Sequence, residues 1–172
     1  MKKNNSKKNT RRDFIKYSSL AASGFFIVPR HVLGGNGYQA PSDTINIGGI
    51  GVGGKGTSDV WNASLQGSEN VIALCDVDKG DYSSKSRERF PKANFYQDYR
   101  EMLDKEKDLD AVTISTPDHM HAIQALAAMD LGINVYVQKP LTHNIREARM
   151  LTEIAREKKI VTQMGNQGAS NS

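Results

Sequence analysis

The stretch "GIGVGGKG" (49–56) carries Gly51, Gly53 and Gly56 in the spacing G-x-G-x-x-G, which strips the backbone of side chains where a phosphate could approach it. Such a run has meaning only in context: a strand before it, a helix after it, and an acid closing the next strand. The segment "TINIGGI" (44–50) reads as a strand, the residues after Gly56 are compatible with a helix, and Asp76 stands 20 residues beyond Gly56 at the end of "VIALC" (71–75). In that setting the three glycines play different parts. Gly51 makes a tight turn, Gly53 admits a pyrophosphate to the backbone, and Gly56 lets helix and strand pack closely. The phosphates would rest on free amides at the helix N-terminus, where the helix dipole favours negative charge. Lys55 is a candidate additional contact and equally a solvated surface lysine. A carboxylate at Asp76 can accept both ribose hydroxyls of NAD and would repel the 2′-phosphate of NADP, and Val77 follows it in place of an arginine. The expected cofactor is therefore NAD, with NADP less favoured.

The elements that must position these residues follow an alternation of short apolar runs and helical patterns, the mark of βαβ units and a parallel sheet. Strands are expected over 44–50, 71–75, 94–97, 110–116, 133–137 and 160–164. Asp98 with Glu101, and Asn144 with Glu147, have the form of capping boxes that open helices. The helix in "HAIQALAAMDLG" is expected to bury Ile123, Leu126, Ala127 and Leu131 and to stop at Gly132. The later helix is expected to bury Ala148, Leu151, Ile154 and Ala155. The fold class is α/β, a Rossmann-type doubly wound parallel sheet, with a dinucleotide-binding domain over 44–168.

In such a sheet ligands collect at the carboxyl ends of the strands. Four segments fall there: the glycine loop, "TPDHMH" (116–121), "QKP" (138–140) and "GNQ" (165–167). His119, His121 and His143 can each be a site residue or an ordinary surface or capping histidine. Lys139 lies between a buried strand and a proline that restrains the backbone, which directs it to the cleft.

Of 23 Lys and Arg residues, eight lie in residues 1–30 beside one acid, Asp13, leaving 15 basic and 18 acidic residues downstream. The folded part is thus net acidic, and no nucleic-acid partner is expected. One cysteine, Cys75, excludes an internal disulfide and a multi-cysteine zinc site; it reads as a small core residue, and no metal is expected. In the basic head, "TRRDFIK" (10–16) precedes the short apolar run "SSLAASGFFIV" (18–28) and the linker-like "GGNGYQAPSD". The pair Arg11-Arg12 with Phe14, Ile15 and Lys16 resembles a twin-arginine signal. The expectation is a signal segment over 1–30, a linker over 31–43, the twin-arginine export machinery as partner, and a periplasmic or membrane-anchored location facing the periplasm. No small-x-small cleavage site stands out.

Taken in order, "GIGVGGKG" (49–56), "CDVD" (75–78), "STPDHMHA" (115–122), "VQKPLT" (137–142) and "GNQG" (165–168) resemble the N-terminal half of the Gfo/Idh/MocA oxidoreductases over about 44–167. The resemblance implies that the amides of Gly53, Gly54 and Lys55 hold the pyrophosphate and that Asp76 holds the adenosine ribose. It places Thr116, Pro117, Asp118, His119 and His121 on the nicotinamide side, and Asn166 where the cofactor site closes. Lys139 matches the lysine of the family's E-K-P motif, beside the nicotinamide and the reacting hydroxyl, and is the candidate catalytic residue. Gln138 stands where the family usually has glutamate, a neighbour whose loss should leave Lys139 less biased toward its charged form. The implied reaction moves a hydride between a sugar or cyclitol hydroxyl and NAD. Alternatives are a redox-neutral, NAD-retaining glycosidase of the same family, which tends to lack the E-K-P lysine, and a non-catalytic nucleotide-binding module. Family members continue into a second α/β domain that supplies the substrate pocket. Residues 169–172 would begin that region, so this chain is expected to bind NAD with little or no turnover by itself, and the full-length protein to be a possible homo-oligomer.

Overall fold

The computed structural model describes Ala40 and residues 43–169; the expected signal segment, most of the linker and residues 170–172 lie outside the described residues. From Thr44 onward the chain forms one unit. Its strands are β1 (Asn46–Ile50), β2 (Asn70–Cys75), β3 (Asn94–Tyr96), β4 (Ala111–Ile114), β5 (Asn134–Gln138) and β6 (Thr162–Gly165). All pair in parallel, in the order β3-β2-β1-β4-β5-β6. The helices are α1 (Lys55–Ala63), α2 (Asp81–Arg89), α3 (Tyr99–Lys105), α4 (Asp118–Asp130) and α5 (Ile145–Lys158). Short 3-10 turns occupy Leu65–Gly67 and Gln167–Ala169.

Side chains alternate across the sheet, so consecutive residues of β2 enter different cores. Ala73 and Cys75 join the larger cluster with Met102, Ala125, Met129 and Leu151, while Leu74 joins Val52 and Val60 on the opposite face. Both faces are covered by helices, as a buried parallel sheet requires. Burial raises the Cys75 thiol to about 12, with the neighbouring Asp76 carboxylate adding to the effect. The reactive thiolate is therefore scarce in the folded chain. Folded protein should resist iodoacetamide at pH 8, and unfolding in guanidinium should release one reactive thiol, as counted by mass spectrometry.

Helix α2 lies where the sequence raises no helix expectation, and α4 buries a face other than the one expected. Helix α2 carries no apolar periodicity; its buried positions are Ser83 and Ser86, whose hydroxyls donate to the carbonyls of Asp78 (2.6 Å) and Val52 (2.6 Å). Polar residues bonded to backbone can face a core without an apolar stripe. In α4 the buried positions are His121, Ala122, Gln124, Ala125, Ala128 and Met129, whereas Ile123 and Leu131 are exposed. The apolar residues of α4 run almost round the helix, and inward hydrogen bonds of His121 and Gln124 set its rotation.

Capping follows the expected residues with one change. Asn144 and Glu147 form a reciprocal capping box on α5. At α3 the Asp98 side chain accepts from the Arg100 amide, while Glu101 turns instead to Lys105 (2.6 Å). Helix α4 ends at Gly132, whose φ of 84° suits the left-handed position after a helix.

Candidate functional site

Parallel register aligns the carboxyl ends of the strands. Ile50 pairs with both Cys75 and Ile114, Ile114 with Val137, and Val137 with Met164. The residues that follow, Gly51, Asp76, Ser115, Gln138 and Gly165, therefore share one edge, with the switch of chain direction between β1 and β4. A cleft of about 680 Å³ opens there, lined among others by Gly51, Gly53, Lys55, Asp76, Thr116 and Pro117.

The glycine loop is built as a dinucleotide turn requires. Gly51 has φ 76°, and a Cβ there would lie 2.8 Å from Thr116 Cγ2 and 2.9 Å from the Ser115 backbone. At Gly56 a Cβ would overlap the Gly51 carbonyl oxygen, so helix α1 meets the strand end with no room for a side chain. The cap of α1 is Gly54, which offers no side-chain acceptor to the first-turn amides. The Gly56 amide donates to the Gly53 carbonyl (2.9 Å), and the remaining amides of the first turn sit at a helix N-terminus, which suits an anion. Nearest to Gly53 and Gly54 lies the ring of Tyr82, an exposed side chain at the start of α2.

Asp76 is buried and shapes the loop beside it. Its Oδ2 accepts from the Gly53 amide (2.9 Å) and its Oδ1 from the Asp78 amide (3.0 Å). A carboxylate between two amides at the end of β2 is set to receive ribose hydroxyls from the cleft. Beyond it, Arg100 is held by Asp98 through both Nε (2.9 Å) and a terminal nitrogen (2.7 Å). That contact lowers the Asp98 carboxyl below its ordinary range and engages the arginine lining this end of the cleft.

The remaining candidates divide along the edge. Thr116 donates from Oγ1 to Gln124 (2.6 Å), and Pro117 is the N-cap of α4. Asp118 and His119 are exposed on the first turn of α4, with the His119 amide donating to Asp118 Oδ1 (2.9 Å). His121 is buried, its ring nitrogens 2.7 Å from the Thr116 and Pro140 carbonyl oxygens, so it ties the loop after β4 to the loop after β5. Lys139 and Asn166 are exposed outside the cleft lining, and His143 is exposed before α5. Lys55 reaches along its own helix to Asp59 Oδ1 (2.6 Å) and Ser58 Oγ (3.1 Å) while also lining the cleft.

Asp59 was not among the sequence candidates. Its buried carboxylate also accepts from Ser115 Oγ (2.8 Å) and Gln138 Nε2 (2.9 Å). The available signal was its spacing: three residues after Gly56 and next to Val60, it shares the face of α1 turned to the sheet.

Fold, glycine geometry and the ribose-side carboxylate together define a nucleotide-binding domain of the NAD type. The family model described as "Oxidoreductase family, NAD-binding Rossmann fold" matches residues 45–166, and the chain belongs to that Gfo/Idh/MocA family. A glycosyl hydrolase family 109 protein of Solibacter usitatus is 33% identical over 153 residues, covering 81% of this chain and 35% of the relative. Myo-inositol 2-dehydrogenase of Lactobacillus plantarum superposes with a TM-score of 0.67 at 21% identity, over 75% of this chain and 38% of that one. The WlbA (WbpB) dehydrogenase of Thermus thermophilus, solved with NAD and UDP-GlcNAcA, gives 0.60 at 20% identity, over 70% and 41%. The chain thus spans about a third of the length of the curated relatives it matches.

Proposed function

We propose that the chain is the NAD-holding part of an oxidoreductase that removes hydride from a carbinol carbon of a sugar or cyclitol, exported by the twin-arginine route to act in the periplasm, free or anchored. Bound NAD supplies the hydride acceptor. The amides of Gly54 and Lys55 at the N-terminus of α1 hold the pyrophosphate, the Gly53 amide being engaged by Asp76 Oδ2 (2.9 Å); Asp76 takes the adenosine ribose, and the loop from Thr116 to His121 borders the nicotinamide. The observation that carries the reading is the placement of Lys139 at the carboxyl end of β5, on the strand edge that also bears the glycine loop, with its ammonium outside every described hydrogen bond and ion pair. A free cation there can steady the alkoxide that forms as hydride leaves, or relay its proton.

In the full-length enzyme Lys139→Met should cut kcat about 100-fold or more while leaving NADH affinity within about threefold, because an oxyanion partner acts in the transition state rather than in cofactor binding. Equal loss of binding and turnover would assign Lys139 to the cofactor. The glycosyl hydrolase names of the first curated relatives support a second reading, a redox-neutral glycosidase that oxidises its sugar transiently, eliminates the aglycone and returns the hydride. Nitrophenyl glycosides and free cyclitols separate the two. Net NADH formation from a free polyol supports the dehydrogenase; nitrophenol release without net NADH supports the glycosidase. Export is tested by fusing residues 1–40 to a folded reporter and exchanging Arg11 and Arg12 for lysine, which should hold the reporter in the cytoplasm.

A further inference from the structure

Three features stand apart from the cofactor contacts: the apolar groove between α5 and β6, the Tyr82 ring over the glycine loop, and the buried carboxylate of Asp59. Only the last is fixed by several independent contacts. Asp59 Oδ1 takes Lys55 of its own helix at 2.6 Å and Gln167, after β6, at 3.4 Å. Oδ2 takes Ser115, after β4, at 2.8 Å and Gln138, at the end of β5, at 2.9 Å. Gln138 is buried and used from both ends, since its Oε1 accepts the Lys139 amide at 2.8 Å. Gln167 in turn donates to Tyr136 Oη at 2.6 Å.

We propose that Asp59 is a positioning residue of the cofactor site, its carboxylate being the common acceptor that fixes helix α1 against the loops after β4, β5 and β6, and that residue 138 must therefore be an amide. The assignment rests on the NAD reading of the cleft. An acceptor is the only group that can serve four donors, and an ionised carboxylate offers about four lone-pair sites. The negative charge of this cluster sits on α1. A glutamate at 138 could still accept the Lys139 amide, but its second oxygen would face Asp59 Oδ2 at hydrogen-bond distance with no hydrogen between them. Two carboxylates so placed hold together only by sharing a proton, or they separate. Separation would shift the backbone of Lys139 and the loop that carries it, which leaves α1 and its phosphate-binding end less firmly held against the sheet. The same geometry accounts for glutamine at a position where a carboxylate would otherwise supply the charge beside Lys139.

The test is an exchange of charges across the pair, read by NADH fluorescence titration of the 172-residue chain. Gln138→Glu should weaken NADH binding about tenfold at pH 8. Because a proton shared between the two carboxylates lets them hold together, the defect should shrink as pH falls toward 6. Asp59→Asn should also weaken binding. The double variant Asp59→Asn with Gln138→Glu restores an amide donor facing a carboxylate at this one contact, while Ser115 and Lys55 lose their acceptor charge, so it should bind more tightly than either single variant, short of wild type, and with no such pH dependence. Gln138→Met, which removes the donor without adding charge, should weaken binding equally at pH 6 and pH 8. If a single variant unfolds, the cycle is read in thermal unfolding by circular dichroism, where the double variant should again recover. Additive defects in the double variant, or a Gln138→Glu defect independent of pH, overturn the assignment. A wild-type chain that fails to bind NADH overturns the cofactor reading, an outcome distinct from binding without rescue.

Discussion

Gly56→Ala is expected to abolish NADH binding and to destabilise the chain by about 3 kcal/mol, at the upper end of what overpacking costs. The methyl group would overlap the Gly51 carbonyl oxygen, an atom of the backbone that cannot rotate away. Relief requires α1 to lift from the strand end, which removes the helix N-terminus from the cleft and disturbs the Gly56 amide's bond to the Gly53 carbonyl (2.9 Å). Gly53→Ala is the control. Its methyl meets first the ring of Tyr82, an exposed side chain that can turn outward, so the fold should survive with a change in melting temperature of only a few degrees. Denaturant unfolding beside NADH titration distinguishes the two. If Gly56→Ala kept the stability of Gly53→Ala and of wild type, the loop would tolerate a Cβ at both positions, and the close helix-on-strand packing assigned to Gly56 would be wrong.

Asp76→Ala should lower NADH affinity about 100-fold and cost about 2 kcal/mol of stability through its buried amide partners alone. Two consequences combine in this change. The Gly53 and Asp78 amides lose the acceptors they have at 2.9 and 3.0 Å, so the glycine loop and the turn after β2 lose their common anchor. The ribose also loses the carboxylate that would take its hydroxyls. Asp76→Asn keeps one acceptor oxygen and should fall between the two. If Asp76→Ala bound NADH as well as wild type while losing stability, the residue would be an anchor of the loop and not a ribose ligand. NADPH titration gives a second check: removing the carboxylate should narrow the preference for NADH over NADPH, since a repulsive charge is lost with it.

Much of this molecule is written locally. The glycine spacing, the apolar runs of the strands, the Asn144–Glu147 cap and the Gly132 stop each depend on residues a few positions apart, and each appears in the structure where the sequence places it. Strand order follows as well, because right-handed crossovers leave few ways to wind six parallel strands. The acid at the end of β2 could be read beside the glycine loop because parallel pairing puts consecutive strand ends on one edge.

What only the tertiary structure decided depends on partners distant in the chain. Helix α2 buries serines, which carry no hydrophobic signal; their acceptors on Asp78 and Val52 become visible only when α2 lies on the loop. The face of α4 expected to be buried, with Ile123 and Leu131, turns outward because apolar residues surround the helix, and its rotation is set by His121 reaching carbonyls at positions 116 and 140. Asp59 is the clearest case. Its donors lie at positions 55, 115, 138 and 167, and a carboxylate becomes a hub only when folding brings all four to one point and removes the water that would otherwise screen it.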